Sequence, residues 1–145
     1  ISANINLSKS CNFICSQGEN ISLVDNYADI LTISFGIRNV SNRKKCLKEC
    51  FRILKPGGIF LCMEFSLPND IVLRNLYDAW SYGLIPKFGK LIVGEEGPYK
   101  YLVDSIRTFP NPEEFNDMIM EAGFKKTIIR QLSGNIVCIY RAEKI

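Results

Sequence analysis

Apolar positions recur along the chain with two different periods, and the switches between them mark the elements. The runs Asn12–Glu19 (NFICSQGE) and Ala28–Arg38 (ADILTISFGIR) are β-rich and bounded by turn residues, which predicts two buried strands. After Ser41 the period changes: Cys46, Leu47, Cys50, Phe51 and Leu54 share one helical face with lysines and arginines opposite. An amphipathic helix opened by Ser41 or Asn42 as N-cap is expected there. The KPGG stretch should end it, because Pro56 cannot continue a helix and Gly57 and Gly58 can take positive φ. Ile59–Ser66 (IFLCMEFS) then resumes as a strand.

Strand, helix, turn and strand within about forty residues is a βαβ unit, which implies parallel pairing and an α/β fold. Residues 69–109 are aromatic and interrupted by Gly83, Pro86 and Gly89, so two or three helical pieces outside the sheet are expected, as a cover over a pocket. NPEEFNDMIMEAG is a helix by its signals: Asn111 caps, Pro112 takes the first position, two glutamates follow and Gly123 terminates. The runs 124–133 and 134–145 are β-rich and meet at Ser133-Gly134, which predicts a terminal hairpin. There is no internal repeat.

Composition narrows the function. With 145 residues, 47% of them hydrophobic, residues 1–145 suffice for a single domain. The net charge of +3 is small, and basic residues come in pairs such as Lys44-Lys45 and Lys125-Lys126 without an aromatic-laced stripe, which argues against nucleic-acid binding. The six cysteines (Cys11, Cys15, Cys46, Cys50, Cys62, Cys138) form no CxxC and read as small buried hydrophobes of a reducing compartment. With no histidine and no clustered thiols, no metal site is expected, and proton transfer falls to a carboxylate, tyrosine, lysine or water. The longest apolar run is broken by Glu64, and no signal peptide opens the chain, so a cytoplasmic protein is expected, with peripheral contact to an inner membrane left open.

Two positions carry chemistry on their own. Arg38 and Asn39 directly follow an apolar strand, and spacing alone favours a solvated arginine paired with a nearby carboxylate. Glu64 sits inside a strand read as buried, where a carboxylate demands a partner; Arg38 and Arg107 are the candidates.

The segments ENISLVDNYADILTISFGIRNV, RILKPGG, MEFSLP, YDAWSYGLIPKFGKLI, YKYLVDSIRTFPNPEEFNDMIMEAGF and LSGNIVCIYRA together resemble the ubiquinone/menaquinone biosynthesis C-methyltransferase family, from about Asn12 to Arg141. LKPGG is common to many class I methyltransferases, whereas SFGIRN with MEFS and YxYLxxSIxxFP is specific. The resemblance implies a Rossmann-like class I methyltransferase sheet, mostly parallel with a C-terminal antiparallel hairpin. The family's first strand and glycine-rich loop would precede residue 1, so the chain reads as the C-terminal two-thirds of an enzyme and is not expected to hold cofactor tightly or to be active alone. Whether ISANINL belongs to the second strand stays open.

The implied activity is C-methylation of a polyprenyl benzoquinol or naphthoquinol ring, with S-adenosyl-L-methionine as cofactor. A ring carbon is a poor nucleophile until a neighbouring hydroxyl loses its proton, so the enzyme must stabilise a phenolate and align carbon, methyl and sulfur. By resemblance Arg38 faces the oxyanion, Asn39 orients a ring hydroxyl or water, and Asp78 (or Asp104) acts as base with water. Gln17, Gly18 and Ser34 match cofactor-binding positions; the family usually carries Asn-Ala where this chain has Gln17-Gly18. Tyr77, Tyr82, Tyr99, Tyr101 and Arg107 are candidates for the quinol pocket, with Tyr77 and Trp80 expected to pack on each other. The cover, with Lys87 and Lys90, suits an anionic lipid surface. A homodimer or a quinone-synthesis complex remains open, as do two alternatives: a non-catalytic scaffold of such a complex, and a methyltransferase for another small hydrophobic acceptor.

Overall fold

A computed structural model describes residues 11–83 and 97–145 of the chain. The elements run β1 (Ala28–Ser34), α1 (Arg43–Ile53), β2 (Leu54–Phe65), α2 (Ile71–Gly83), α3 (Gly97–Arg107), α4 (Pro112–Glu121), β3 (Lys125–Leu132) and β4 (Val137–Glu143), with a 3-10 turn at Ile37–Asn39 before α1. The four strands form one sheet in the order β1-β2-β4-β3; β1 runs parallel to β2, while β4 is antiparallel to both β2 and β3. The βαβ unit and the terminal hairpin therefore stand as expected, and the sheet among the described strands is mixed.

The core follows the two periods. Along β2, Phe60, Cys62 and Glu64 point to one face and are fully buried; from β4 the same face receives Cys138, Tyr140 and Ala142. Onto it α1 lays Cys46, Leu47 and Cys50, and α4 lays Phe115 and Ile119. Ring contacts knit the layers: Phe60 to Phe124 at 5.2 Å and Phe115 edge-on to Tyr140 at 4.9 Å. Asn42, not Ser41, caps α1 by accepting from the Lys45 N–H. For α4 the full capping box forms between Asn111 and Glu114, and the chain leaves the helix through Gly123 at φ +115°.

Four expectations are corrected. Asn12–Glu19 is not a buried strand: Phe13 is 96% exposed, and the run leads into a tight turn whose Asn20 N–H donates to Gln17 O at 3.0 Å. The strand read from Ala28 to Arg38 stops at Ser34 and is half-exposed, because β1 is an edge strand of the described sheet. KPGG does not separate helix from strand. Ala28 pairs with Leu54 and Ile30 with Ile59, so Lys55, Pro56, Gly57 and Gly58 bulge out within β2, and α1 ends because Leu54 is already extended. Gly57 takes φ +80°, and a Cβ on Gly58 would lie 2.8 Å from Lys55 O, so the bulge needs glycine at both places. All six cysteines are free, but Cys11 and Cys15 are exposed and only the other four are buried.

The two described cover helices stand at the end of β2. The hairpin turn anchors the segment that leads into α2: Ser133, Gly134 and Asn135 all take positive φ, and the buried Asn135 amide donates to Leu67 O at 2.9 Å and Asn69 Oδ1 at 3.0 Å. Among the described residues no helix is long and apolar enough to cross a membrane.

Candidate functional site

The site begins where β1 ends. Phe35 takes φ +52° and its N–H donates to Met63 O at 2.8 Å, after which the chain turns through Gly36 into the 3-10 turn, pinned by the fully buried Ile37. This sets Arg38 and Asn39 outside the carboxyl ends of the parallel pair, the place where open α/β sheets bind ligands.

Arg38 is not a solvated strand-end arginine. Its side chain is 10% exposed and pairs through Nη1 with Oε1 of the fully buried Glu64 at 2.9 Å. Glu64 Oε2 accepts the Arg38 backbone N–H at 3.3 Å and Oε1 accepts the Phe65 N–H at 2.9 Å, so the carboxylate expected to need a partner has three donors. Of the two candidate arginines, Arg38 is the partner. The same Nη1 also donates to Phe35 O, and the guanidinium lies over the Phe65 ring, 5.5 Å from its centroid. Arg38 Nε is buried with no hydrogen-bond partner among the described residues. From α1, Arg43 donates to Arg38 O at 3.2 Å and rests over Phe109, which sequence reasoning did not single out.

Asn39 is exposed and its Oδ1 accepts from Tyr101 of α3 at 2.9 Å. That bond orients the amide, turning its Nδ2 outward as a donor. On its other side Asn39 borders an open cleft of about 600 Å³, shared with Gln17, Gly18, Glu19, Asn42 and Lys45. Gly18 is packed closely on α1: a Cβ there would lie 3.2 Å from Cys46 Sγ. Glu19 accepts the Asn42 N–H at 3.0 Å, and this hydrogen bond holds its carboxyl below the usual range. The structure thus brings Gln17, Gly18 and Asn39 together, whereas Ser34 stands exposed at the end of β1 and is not part of the cleft wall. Glu19 and Lys45 were missed; the signal for them was the N-cap itself, since capping by Asn42 brings the start of α1 to the cleft. The cleft is of a size for an adenosine-like group, and an exposed amide at Gln17, backbone groups at a tight turn and the Val40 side chain suit a flat nitrogenous ring. On this test the residues present fit the adenine end of S-adenosylmethionine.

The cover brings a second group together. Asp78 of α2 pairs with Arg107 of α3 at 2.6 Å, and Arg107 also reaches the buried Ser81 Oγ at 3.3 Å. Tyr77 is half-buried; burial pushes its phenol up, with the nearby Arg107 charge opposing. Its ring packs on Trp80 at 6.2 Å, as expected. Asp104 is exposed on α3. Arg107 also borders a polar cavity of about 220 Å³ with Ser66, Asn69, Arg74 and Asn111, none of which the sequence pointed to as a site residue. The side chains of Tyr82 and Tyr99, together with Lys87 and Lys90, lie outside the described residues.

The chain is 44% identical over 144 residues to the ubiquinone/menaquinone biosynthesis C-methyltransferase UbiE of Rickettsia bellii, covering 99% of this chain and 58% of that protein. It is 46% identical over 133 residues to the mitochondrial 2-methoxy-6-polyprenyl-1,4-benzoquinol methylase of Rattus norvegicus, covering 92% of this chain and 41% of that one. The chain therefore spans about half the length of the curated relatives it matches. Among solved structures, a SAM-dependent methyltransferase of Thermotoga maritima superposes with a TM-score of 0.63 at 20% identity, covering 90% of this chain and 62% of that one. Another from Aquifex aeolicus gives 0.56 at 16% identity, covering 92% and 55%. These two carry the fold, a class I methyltransferase sheet. The profile of the ubiE/COQ5 methyltransferase family matches residues 3–144, and the chain belongs to that family.

Proposed function

We propose that this chain carries the adenine side and the acceptor side of a C-methyltransferase that methylates the ring carbon of a polyprenyl benzoquinol or naphthoquinol. The observation that carries the reading is the pairing of Arg38 and Asn39 at the strand end, in a chain 44–46% identical to enzymes named for that reaction. Bound in the cleft beside Gln17 and Gly18, S-adenosylmethionine supplies a methyl group already activated by its sulfonium.

The residues of the chain do the rest. Glu64 fixes the Arg38 guanidinium by one edge, which leaves Nε buried with an unmet donor and presents positive charge to a ring oxygen that is losing its proton. Asn39, held through Oδ1 by Tyr101, offers Nδ2 to the same oxygen or to a water beside it. Asp78, ion-paired with Arg107, serves as the proton acceptor through water, the chain having no histidine for the task. Tyr77, Tyr101 and Arg107 border the ring.

The test, made on the full-length product of the gene that encodes this chain, is methyl transfer from labelled S-adenosylmethionine to a short-chain 2-methoxy-6-prenyl-1,4-benzoquinol and, separately, to a prenylated naphthoquinol. Label on the ring carbon of either supports the reading, and the preferred ring names the acceptor. Label on neither quinol sinks it.

A further inference from the structure

Methyl transfer as described leaves an apolar cavity unused. Between the end of β2 and the cover lies a pocket of about 150 Å³ lined by Phe65, Tyr77, Trp80, Leu102, Val103 and Ile106, with Ile136 of the hairpin turn closing it. Its lining is almost wholly carbon, so it suits a hydrocarbon segment and offers little to a polar one.

Its two ends say what that segment is attached to and where it goes. At the inner end Phe65 lines the pocket and also carries the Arg38 guanidinium on its ring, so the apolar pocket abuts the polar strand-end turn across a single side chain. Tyr77 marks the same boundary: its ring lies in the pocket, and its phenol feels the charges of Arg107 and Asp78. At the outer end Trp80 is 51% exposed and continues onto the surface of α2, where Leu76 and Val72 follow at helical spacing, each 63% exposed. An apolar stripe on the solvent side of a helix is the reverse of the usual amphipathic arrangement. Pocket and stripe share Trp80, so together they form one apolar track that starts at the Arg38 floor and ends in the open.

We propose that this track is the tail site of the acceptor: the pocket holds the first segment of an isoprenoid chain whose ring sits at Arg38 and Asn39, and the remainder leaves past Trp80 along Leu76 and Val72. The inference rests on the prenylated-quinol reading above and adds the residues that select the tail. A long tail of this kind remains partly in a lipid surface, and the stripe is where the two would meet.

Trp80 is the only tryptophan in the chain, so its emission reports on the track without a label. Geraniol and farnesol titrated into the protein, with no cofactor present, should each blue-shift that emission saturably. Val103→Phe, which fills the pocket, should weaken both alcohols roughly tenfold, and Ile136→Phe should do the same from the hairpin side. Leu76→Ser should weaken farnesol while leaving the shorter geraniol nearly unchanged. The absence of a saturable shift, or a shift indifferent to Val103→Phe and Ile136→Phe in variants with wild-type circular dichroism, overturns the site. Dodecanol binding as tightly as farnesol overturns the isoprenoid assignment. Because this readout needs no methyl transfer, it separates from the labelled-methyl assay: a silent assay with tight farnesol binding refutes the reaction and not the pocket.

Discussion

Glu64 decides much at the scale of single residues. It lies in phase with Phe60 and Cys62 on the buried face of β2, so a carboxylate occupies a position that period two reserves for the core. Removing its cation should therefore be costly. Arg38→Met is expected to destabilise the fold by about 3–5 kcal/mol, because a buried charge loses its partner while its desolvation remains. Arg38→Met combined with Glu64→Gln should recover most of that loss, since the neutral amide leaves no buried charge and its oxygen can still accept the Phe65 N–H. Urea unfolding of the two singles and the double closes the cycle; a double variant as unstable as Arg38→Met would mean that packing on Phe65, and not charge, dominates. That Glu64 needs a partner is legible in the sequence, because any carboxylate in a buried strand does. Which arginine answers is not legible, because it depends on the positive-φ turn at Phe35 that folds Arg38 back over the end of β2.

Helix α1 tests the same reasoning at the scale of an element. It has no glycine cap, since Leu54 passes directly into β2, and its last carbonyls find a donor from the far end of the chain. Lys144 Nζ donates to Phe51 O at 2.8 Å and Leu54 O at 2.7 Å and rests 4.6 Å from the Phe51 ring centroid. A cation there also complements the helix dipole. Lys144→Met should cost about 1 kcal/mol, read as a lower melting temperature with unchanged far-UV circular dichroism. Midway along the helix Glu49 binds Arg52 at 2.8 Å and the Ile21 N–H at 3.0 Å, and these hold its carboxyl below the ordinary value, Arg52 foremost. A lowered folded pKa stabilises fully above the ordinary carboxylate range and is lost as pH falls through the lowered value. Glu49→Gln should therefore flatten the acid side of the stability profile and leave its neutral-to-alkaline side with the same shape; an unaltered acid limb would exclude Glu49 from it. Helices α1 and α4 were legible because apolar period and caps agree within each segment. The Asn12–Glu19 run was not, because a β-rich string without a pairing partner is only a string, and Phe13 meets no face in the described structure. The bulge at KPGG was hidden for a related reason: it is set by the register between β1 and β2, which neither strand states alone.

At the scale of the whole molecule the structure is a sheet with α1 and α4 on its buried face and a helical cover at the end of β2. The Asp78–Arg107 pair lies within the cover, across α2 and α3, and its partners are 29 residues apart, out of reach of any local pattern. Toward the sheet side, Leu73 of α2 meets the hairpin turn, where a Cβ on Gly134 would lie 2.5 Å from its Cδ2. Tyr101 ties α3 by a side-chain hydrogen bond to Asn39 of the strand-end turn. That bond is exposed and single, and a bond of this kind is worth about 0.5–1.5 kcal/mol. Tyr101→Phe should therefore raise amide hydrogen exchange along α3 by roughly two- to tenfold while exchange in β2 and β4 stays as it was, because local opening of the cover does not require the sheet to unfold. The same variant frees the Asn39 amide to rotate, so the acceptor KM should rise with cofactor affinity nearly unchanged. If exchange rises equally in β2, the cover and sheet unfold as one unit and Tyr101 is a global stabiliser. If exchange rises only in α3 but the acceptor KM does not move, the Tyr101–Asn39 bond closes the cover without orienting the ring.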